Sequence, residues 1–176
     1  MLSLEAVSEN HLNWLKNQRN RREIMDYCRQ PFFLSDAAQE DWFKRVTRDR
    51  SMIPMIVSEG NRWIGYTALS NIDWIARTAE FSCFISPDEN GKGYHKEALR
   101  ILMDYAFGTL NLNKLYSQTF DFNLTEMDTL KELGFVGEGL IKDHFYKNGR
   151  LVSAVLFAKF ANTHDFQPPI RGGKPT

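Results

Sequence analysis

The segment from Pro87 to Lys96, Pro-Asp-Glu-Asn-Gly-Lys-Gly-Tyr-His-Lys, carries the residue types of an anion cradle. An apolar run, Ala79 to Ile85, precedes it and reads as a strand; Ala98, Leu99, Ile101, Leu102, Tyr105 and Ala106 follow it at helical spacing. A glycine-containing turn therefore opens a helix. The first N–H groups of a helix have no partner within it, and the aligned peptide dipoles make that end positive. Gly91 and Gly93 let the main chain come close to an anion, while Lys92 and Lys96 add charge. Binding of a phosphate or pyrophosphate is the chemistry this pattern suits. The plain alternative is a surface turn capping an ordinary helix. Two other motifs are excluded by spacing: the third glycine of a dinucleotide fingerprint is absent, and no Gly-Lys-Ser/Thr follows as in a P-loop.

The elements that must position this loop follow from periodicity and punctuation. Leu2 to Val7 reads as a first strand and Asn10 to Gln18 as a short helix. Arg19, Arg21 and Arg22 then form a basic cluster, either a solvated helix face or an anion site. Pro31 breaks the chain, and Ser35 is placed to cap a helix running to about Arg48. Met52 to Val57 and Arg62 to Ser70 form a hairpin across Glu59-Gly60-Asn61. Pro54 suggests an edge strand there, and Gly65 a bulge or close packing. Arg77 to Ile85 is a further antiparallel strand, and the helix after the anion loop extends to about Gly108. Lys114 to Phe120 alternates as a strand; Asn123 caps a helix that stops at Gly134. Phe135 to Tyr146 and Leu151 to Phe160 close the domain as a hairpin around Asn148-Gly149. The expected class is α+β: a mixed, mostly antiparallel sheet of about seven strands flanked by helices. Residues 1–161 form the domain, and 162–176, rich in Pro and Gly, form an extended or disordered tail.

Composition narrows the function. Equal numbers of basic and acidic residues, 22 each, give no global pull toward nucleic acid or an anionic membrane. No stretch reaches the ~18 apolar residues of a membrane span. No charged and apolar leader opens the chain. Cys28 and Cys83 lack metal-ligand spacing, so no metal is expected; reduced thiols point to the cytoplasm.

With these residues in place, the chain resembles the GNAT acetyltransferases. Glu80 through Leu99 resembles their acyl-CoA-binding segment, and Asn123-x-x-Glu126 through Leu133-Gly134-Phe135 resembles their next helix. The order of segments agrees from Leu2 to Phe160. Within the superfamily, Trp14 with Lys16-Asn17, Ser35 with Glu40-Asp41-Trp42-Phe43, and Phe145 to Arg150 resemble the nucleotide-linked amino-sugar N-acetyltransferases of pseudaminic acid synthesis, with the ribosomal-protein N-terminal acetyltransferases as near relations. The resemblance implies acetyl-CoA as cosubstrate. It places main-chain contacts to the oxyanion and pantetheine at Cys83 and Ile85, the pyrophosphate on Asn90, Gly91, Lys92, Gly93, Tyr94, His95 and Lys96, and a further contact at Asn123. Four positions depart from the family pattern. Asn90 stands for Arg or Gln, His95 for a small residue, Glu126 for Ser or Ala, and Leu130 for the tyrosine that is often the proton donor.

The implied reaction moves an acetyl group to an amine, which must first lose a proton. Glu80 is the favoured base: it lies on the cofactor strand, on the face opposite Cys83, and a partly buried carboxylate can act through water. The alternative is a structural pairing of Glu80 with Arg77 or a lysine. His144 is a second candidate base, and Tyr146 and Tyr116 are candidate donors to the leaving thiolate. The expected acceptor is a small primary amine, most naturally on a nucleotide-linked amino sugar whose diphosphate would meet the arginine cluster. A protein N-terminus is the alternative acceptor. A non-catalytic CoA-binding or scaffold module is the alternative from another class, and a homodimer stays open. A polyamine fits less well, because no acidic patch dominates the N-terminal helices.

Overall fold

The computed structural model describes residues 1–161, and the tail expected at 162–176 lies outside them. One seven-stranded sheet runs through the domain in the order β1-β2-β3-β4-β5-β7-β6. Its strands are β1 (Leu2–Ala6), β2 (Ile53–Glu59), β3 (Arg62–Asp73), β4 (Thr78–Ile85), β5 (Lys114–Phe120), β6 (Val136–Lys147) and β7 (Arg150–Phe160). Only β4 and β5 pair in parallel. Helices α1 (Leu12–Arg19), α2 (Arg22–Met25) and α3 (Asp36–Val46) come before the hairpin of β2 and β3; α4 (Tyr94–Met103) follows β4, and α5 (Leu124–Glu132) follows β5.

Alternation along each strand divides the core between two layers. Ala79 and Phe81 of β4, with Leu115 of β5, pack against Leu99 and Leu102 of α4 and Leu130 of α5. On the other face Ile56, Tyr66 and Ala68 pack with Leu15 of α1, beside Trp42 and Phe43 of α3. Leu99, Leu102, Leu115 and Leu130 are essentially fully buried. Each contributes about 1.5–3 kcal/mol by leaving water.

The caps fall where the sequence puts them. Ser35 Oγ accepts from the Ala38 N–H at 3.2 Å, and Asn123 Oδ1 from the Glu126 N–H at 3.3 Å. Gly134 ends α5 with φ +81°. Asn148 and Gly149 both take positive φ, 48° and 81°, as the tight turn between β6 and β7 requires.

Two local readings need correction. Pro54 does not mark an edge, because β2 lies between β1 and β3. The β1–β2 register ends at Ala6–Met55; Pro54 sits one residue beyond it, and its carbonyl accepts from Val7 N–H at 3.4 Å. Its missing N–H thus falls where the ladder has already stopped. The helix after the anion loop is α-helical only to Met103, and Asp104–Thr109 continues it as a wider π turn. Gly65 has both expected roles. The β2–β3 register shifts beside it, and a Cβ there would lie 2.6 Å from the Phe84 carbonyl oxygen.

Candidate active site

The sheet opens where its two halves meet. β4 and β5 pair only at Thr78–Lys114, Ala79–Leu115 and Glu80–Tyr116. Beyond that point Phe81 to Ile85 and Ser117 to Phe120 separate, and both segments line one cleft of about 1150 Å³. The edge groups of β4 that face the gap have no strand partner, so they are free to bind an extended ligand. Cys83 and Ile85 lie on this splayed segment, as the cofactor reading requires.

The anion loop borders the same cleft. Gly91 and Gly93 have φ of +80° and +78°. Gly93 is the N-cap of α4 and has no side-chain cap. The first amides of α4, on Tyr94, His95 and Lys96, therefore lack both an intrahelical acceptor and a capping side chain. Asn90, Gly91, Gly93, Tyr94, His95, Lys96 and, on α5, Asn123 line the cleft. A pyrophosphate fits this arrangement, because main-chain donors and a helix N-terminus converge on it.

The lysines do less than their number suggests. Lys92 Nζ lies 2.6 Å from Glu89, and Lys96 Nζ lies 2.5 Å from Glu132. Lys92 is not among the residues lining the cleft. Glu89 also receives Arg62 at 2.9 Å. The loop's carboxylates are thus neutralised locally, and most of the attraction for an anion falls to the backbone.

His95 and Glu126, two of the departures from the family pattern, meet in the cleft lining with Nε2 and Oε2 2.7 Å apart, an ion-pair contact not aligned as a hydrogen bond. Burial alone would lower the His95 pKa; the neighbouring Cys83 sulfur and the Glu126 carboxylate outweigh it and hold the imidazolium well above the ordinary value of 6.5. Glu126 thus faces a cation while its own N–H caps the helix through Asn123.

Glu80 sits at the last position of β4 that pairs with β5, 6 % exposed. Its partners are not those expected. Arg77 turns away at φ 58° to bond Asn111, with Nε 2.7 Å from the Asn111 carbonyl oxygen. Arg29, from the loop after α2, donates to Glu80 Oε1, and Asn71 Nδ2 donates to Oε2 at 2.9 Å. Tyr116 pairs with Glu80 in register. Burial, and then the Glu80 charge, raises the Tyr116 pKa, so the phenol keeps its proton. Tyr146 is 68 % exposed near the β6–β7 turn and does not line the cleft, which removes it from the candidate donors; His144 is also exposed. Leu130, where the family pattern has tyrosine, is fully buried in the core.

The arginine cluster does not act as a unit. Arg21 pairs with Asp88 at 2.7 Å and Arg22 with Asp26 at 3.6 Å; only Arg19 enters the cleft. Arg29, Asn71 and Glu23 complete the end of the cleft beyond Glu80. Sequence reading missed these three residues. Nothing local marks them, since Arg29 and Glu80 are 51 positions apart.

This architecture, a sheet splayed at β4 and β5 with an uncapped helix N-terminus beside the gap, defines an acyltransferase site of the expected superfamily. The family profile described as "Acetyltransferase (GNAT) domain" matches residues 2–136, so the chain belongs to the GNAT family. It is an acetyl-CoA-dependent N-acetyltransferase. Spermidine N(1)-acetyltransferase of Vibrio cholerae is 31% identical over 166 residues, spanning 92% of this chain and 96% of that protein. The Escherichia coli K12 enzyme of the same name is 27% identical, over 93% of this chain and 88% of its own length. The crystal structure of spermidine N-acetyltransferase from V. cholerae in complex with CoA and spermine superposes with a TM-score of 0.87 at 30% identity, covering 91% of this chain and 95% of that one. These similarities correct the subfamily expectation: the relatives that match nearly the whole chain are spermidine acetyltransferases, whereas the "Putative ribosomal N-acetyltransferase" of Bacillus subtilis, 34% identical, matches only 48% of it. Among the described residues no helix is long and apolar enough to cross a membrane, and both cysteines are free.

Proposed function

We propose that this protein transfers the acetyl group of acetyl-CoA to a primary amine of a polyamine such as spermidine, in the cytoplasm. The observation that carries this reading is the buried Glu80 carboxylate at the point where β4 and β5 part. There the free strand edge leading from the anion loop meets the part of the cleft that also holds Glu23. A carboxylate at that junction suits a cationic acceptor. Of the arginine cluster read as a diphosphate site, Arg21 and Arg22 are occupied by Asp88 and Asp26, and Arg19 alone reaches the cleft. The similarity to spermidine acetyltransferases over nearly the whole chain supports the same class of acceptor.

Acetyl-CoA supplies a thioester carbonyl activated for attack. The α4 amides and the loop from Asn90 to Lys96 would hold its pyrophosphate, Cys83 and Ile85 would offer main-chain contacts to the arm and the acetyl oxygen, and Asn123 would bound the groove. Glu80 takes a proton from the acceptor ammonium, directly or through water. The freed amine lone pair forms the C–N bond to the acetyl carbon, the nitrogen gives up its second proton to water, the C–S bond breaks, and sulfur leaves as a thiolate that takes up a proton. Tyr116, in register with Glu80 and kept protonated, does not itself line the cleft and would give it through water.

The test is a thiol-release assay with acetyl-CoA and a panel of amines. Turnover of spermidine or spermine, with nucleotide-linked amino sugars and peptides inert, is the expected outcome. Turnover of an amino-sugar nucleotide or a peptide alone would overturn the polyamine reading.

A further inference from the structure

Glu80 is proposed to meet the acceptor, yet in this structure both of its oxygens are occupied. Asn71 holds Oε2 at 2.9 Å, and Arg29 donates to Oε1. The two donors differ in kind. Asn71 belongs to β3, inside the sheet. Arg29 belongs to the connection between α2 and α3, its side chain is 41% exposed, and Glu80 is its one ion-pair partner among the described residues.

That connection is pinned on either side of Arg29. Lys147 Nζ donates to the Met25 carbonyl at 3.2 Å and to that of Cys28. Asn20 bonds both the carbonyl and the N–H of Leu34, at 2.9 and 2.7 Å. Between these anchors Phe32 and Phe33 are 71% and 78% exposed, so little packing fixes the span that carries Arg29. A guanidinium stays charged at any working pH and mimics the charge of an ammonium. It also gives Glu80 nothing to deprotonate. With Arg29 seated, the carboxylate can neither anchor nor deprotonate an amine at Oε1.

We propose that Arg29 is a displaceable plug: it fills the cation subsite on Glu80 in the free enzyme, and the acceptor's primary ammonium displaces it. The plug makes Arg29 a specificity-determining residue. An acceptor must carry a cation able to compete with a guanidinium already in place, and a neutral or anionic amine compound gains nothing there. This inference rests on the polyamine reading above, and its test separates the two. Arg29 is partly exposed while Glu80 is buried, so exchanging one cation for another on the carboxylate shifts affinity modestly.

The experiment compares wild type with Arg29→Ala and with Arg29→Met, which keeps bulk without charge. Spermidine affinity is measured by calorimetry on CoA-loaded protein and, separately, by steady-state turnover. The plug predicts that both variants bind spermidine about three- to tenfold more tightly, with the KM for acetyl-CoA unmoved. It also predicts that guanidinium chloride at low millimolar concentration competes with spermidine in Arg29→Ala but not in wild type. Weaker spermidine binding in both variants would overturn the plug and make Arg29 a support of the site, as would unchanged affinity with no guanidinium competition. Absence of spermidine turnover in wild type would count against the proposed function, while the calorimetric comparison would still decide the plug.

Discussion

The two ends of the cleft are built on different principles. At the end proposed for the cofactor, the groups on offer are main-chain ones: the free edge of Phe81 to Ile85 and the uncapped amides at the start of α4. One continuous stretch of about twenty residues supplies most of them, and side-chain charge there is largely cancelled by Glu89 and Glu132. At the acceptor end, the groups are side chains from α1, α2, the loop after it, β3 and β4: Arg19, Glu23, Arg29, Asn71 and Glu80. The difference teaches why one ligand follows from the family and the other does not. Backbone groups survive substitution, so a cofactor held by them would tolerate Asn90 and His95 where the pattern has other residues. A site of converging side chains changes its ligand with a few replacements.

Substitutions at each end put this contrast at risk. The largest effect is expected at the acceptor end. Glu80→Gln should lower kcat for spermidine about a hundredfold or more and leave the KM for acetyl-CoA unchanged, whereas Tyr146→Phe should move neither constant. A Glu80→Gln enzyme with full turnover would take Glu80 out of the chemistry. At the cofactor end, Gly93→Val forces a β-branched residue to φ +78° in otherwise open space. The left-handed conformation costs about 1–2 kcal/mol; if the free loop relaxes out of it and must return on binding, calorimetry should show CoA affinity weakened about tenfold, with kcat little altered. Asn123→Ala removes the N-cap of α5 and should cost about 1 kcal/mol, read as a fall of roughly 2–4 °C in the melting temperature.

The smallest effect concerns His95. Its pKa is raised in the folded protein, so the stability it contributes is fully present below 6.5 and is lost as pH rises through the shifted value. Urea midpoints at pH 6 and pH 9 should therefore differ more in wild type than in Glu126→Gln. An identical pH dependence would show that the His95–Glu126 pair contributes nothing.

The same contrast explains how much could be read from sequence. The strand, loop and helix of the cofactor end are contiguous, and their signals are local: period-two alternation, paired glycines, then helical spacing. Ser35, Asn123 and Asn148-Gly149 likewise announce their caps and turn within a few residues. Beyond Glu80 and Arg19, the acceptor end offered no such signal. Arg29 meets Glu80 across 51 positions, and Lys147 pins the carbonyl of Met25 across 122. The arginine cluster drew attention as a run, yet the fold sends its members to different partners. Tyr116 stood out only once the register of β4 and β5 placed it opposite Glu80. Pro54 misled because its rule concerns the hydrogen-bonding side of a strand, and that side depends on where β1 ends.

Hydrogen exchange with and without acetyl-CoA reads the central claim most directly. Amides of Phe81 to Ile85 and of Gly91 to Lys96 should slow markedly when acetyl-CoA is added, while those of the β6–β7 hairpin tip should not change. Equal exchange in the splayed strand and at the start of α4, under conditions where acetyl-CoA is bound, would contradict a cofactor held by main-chain groups in this cleft.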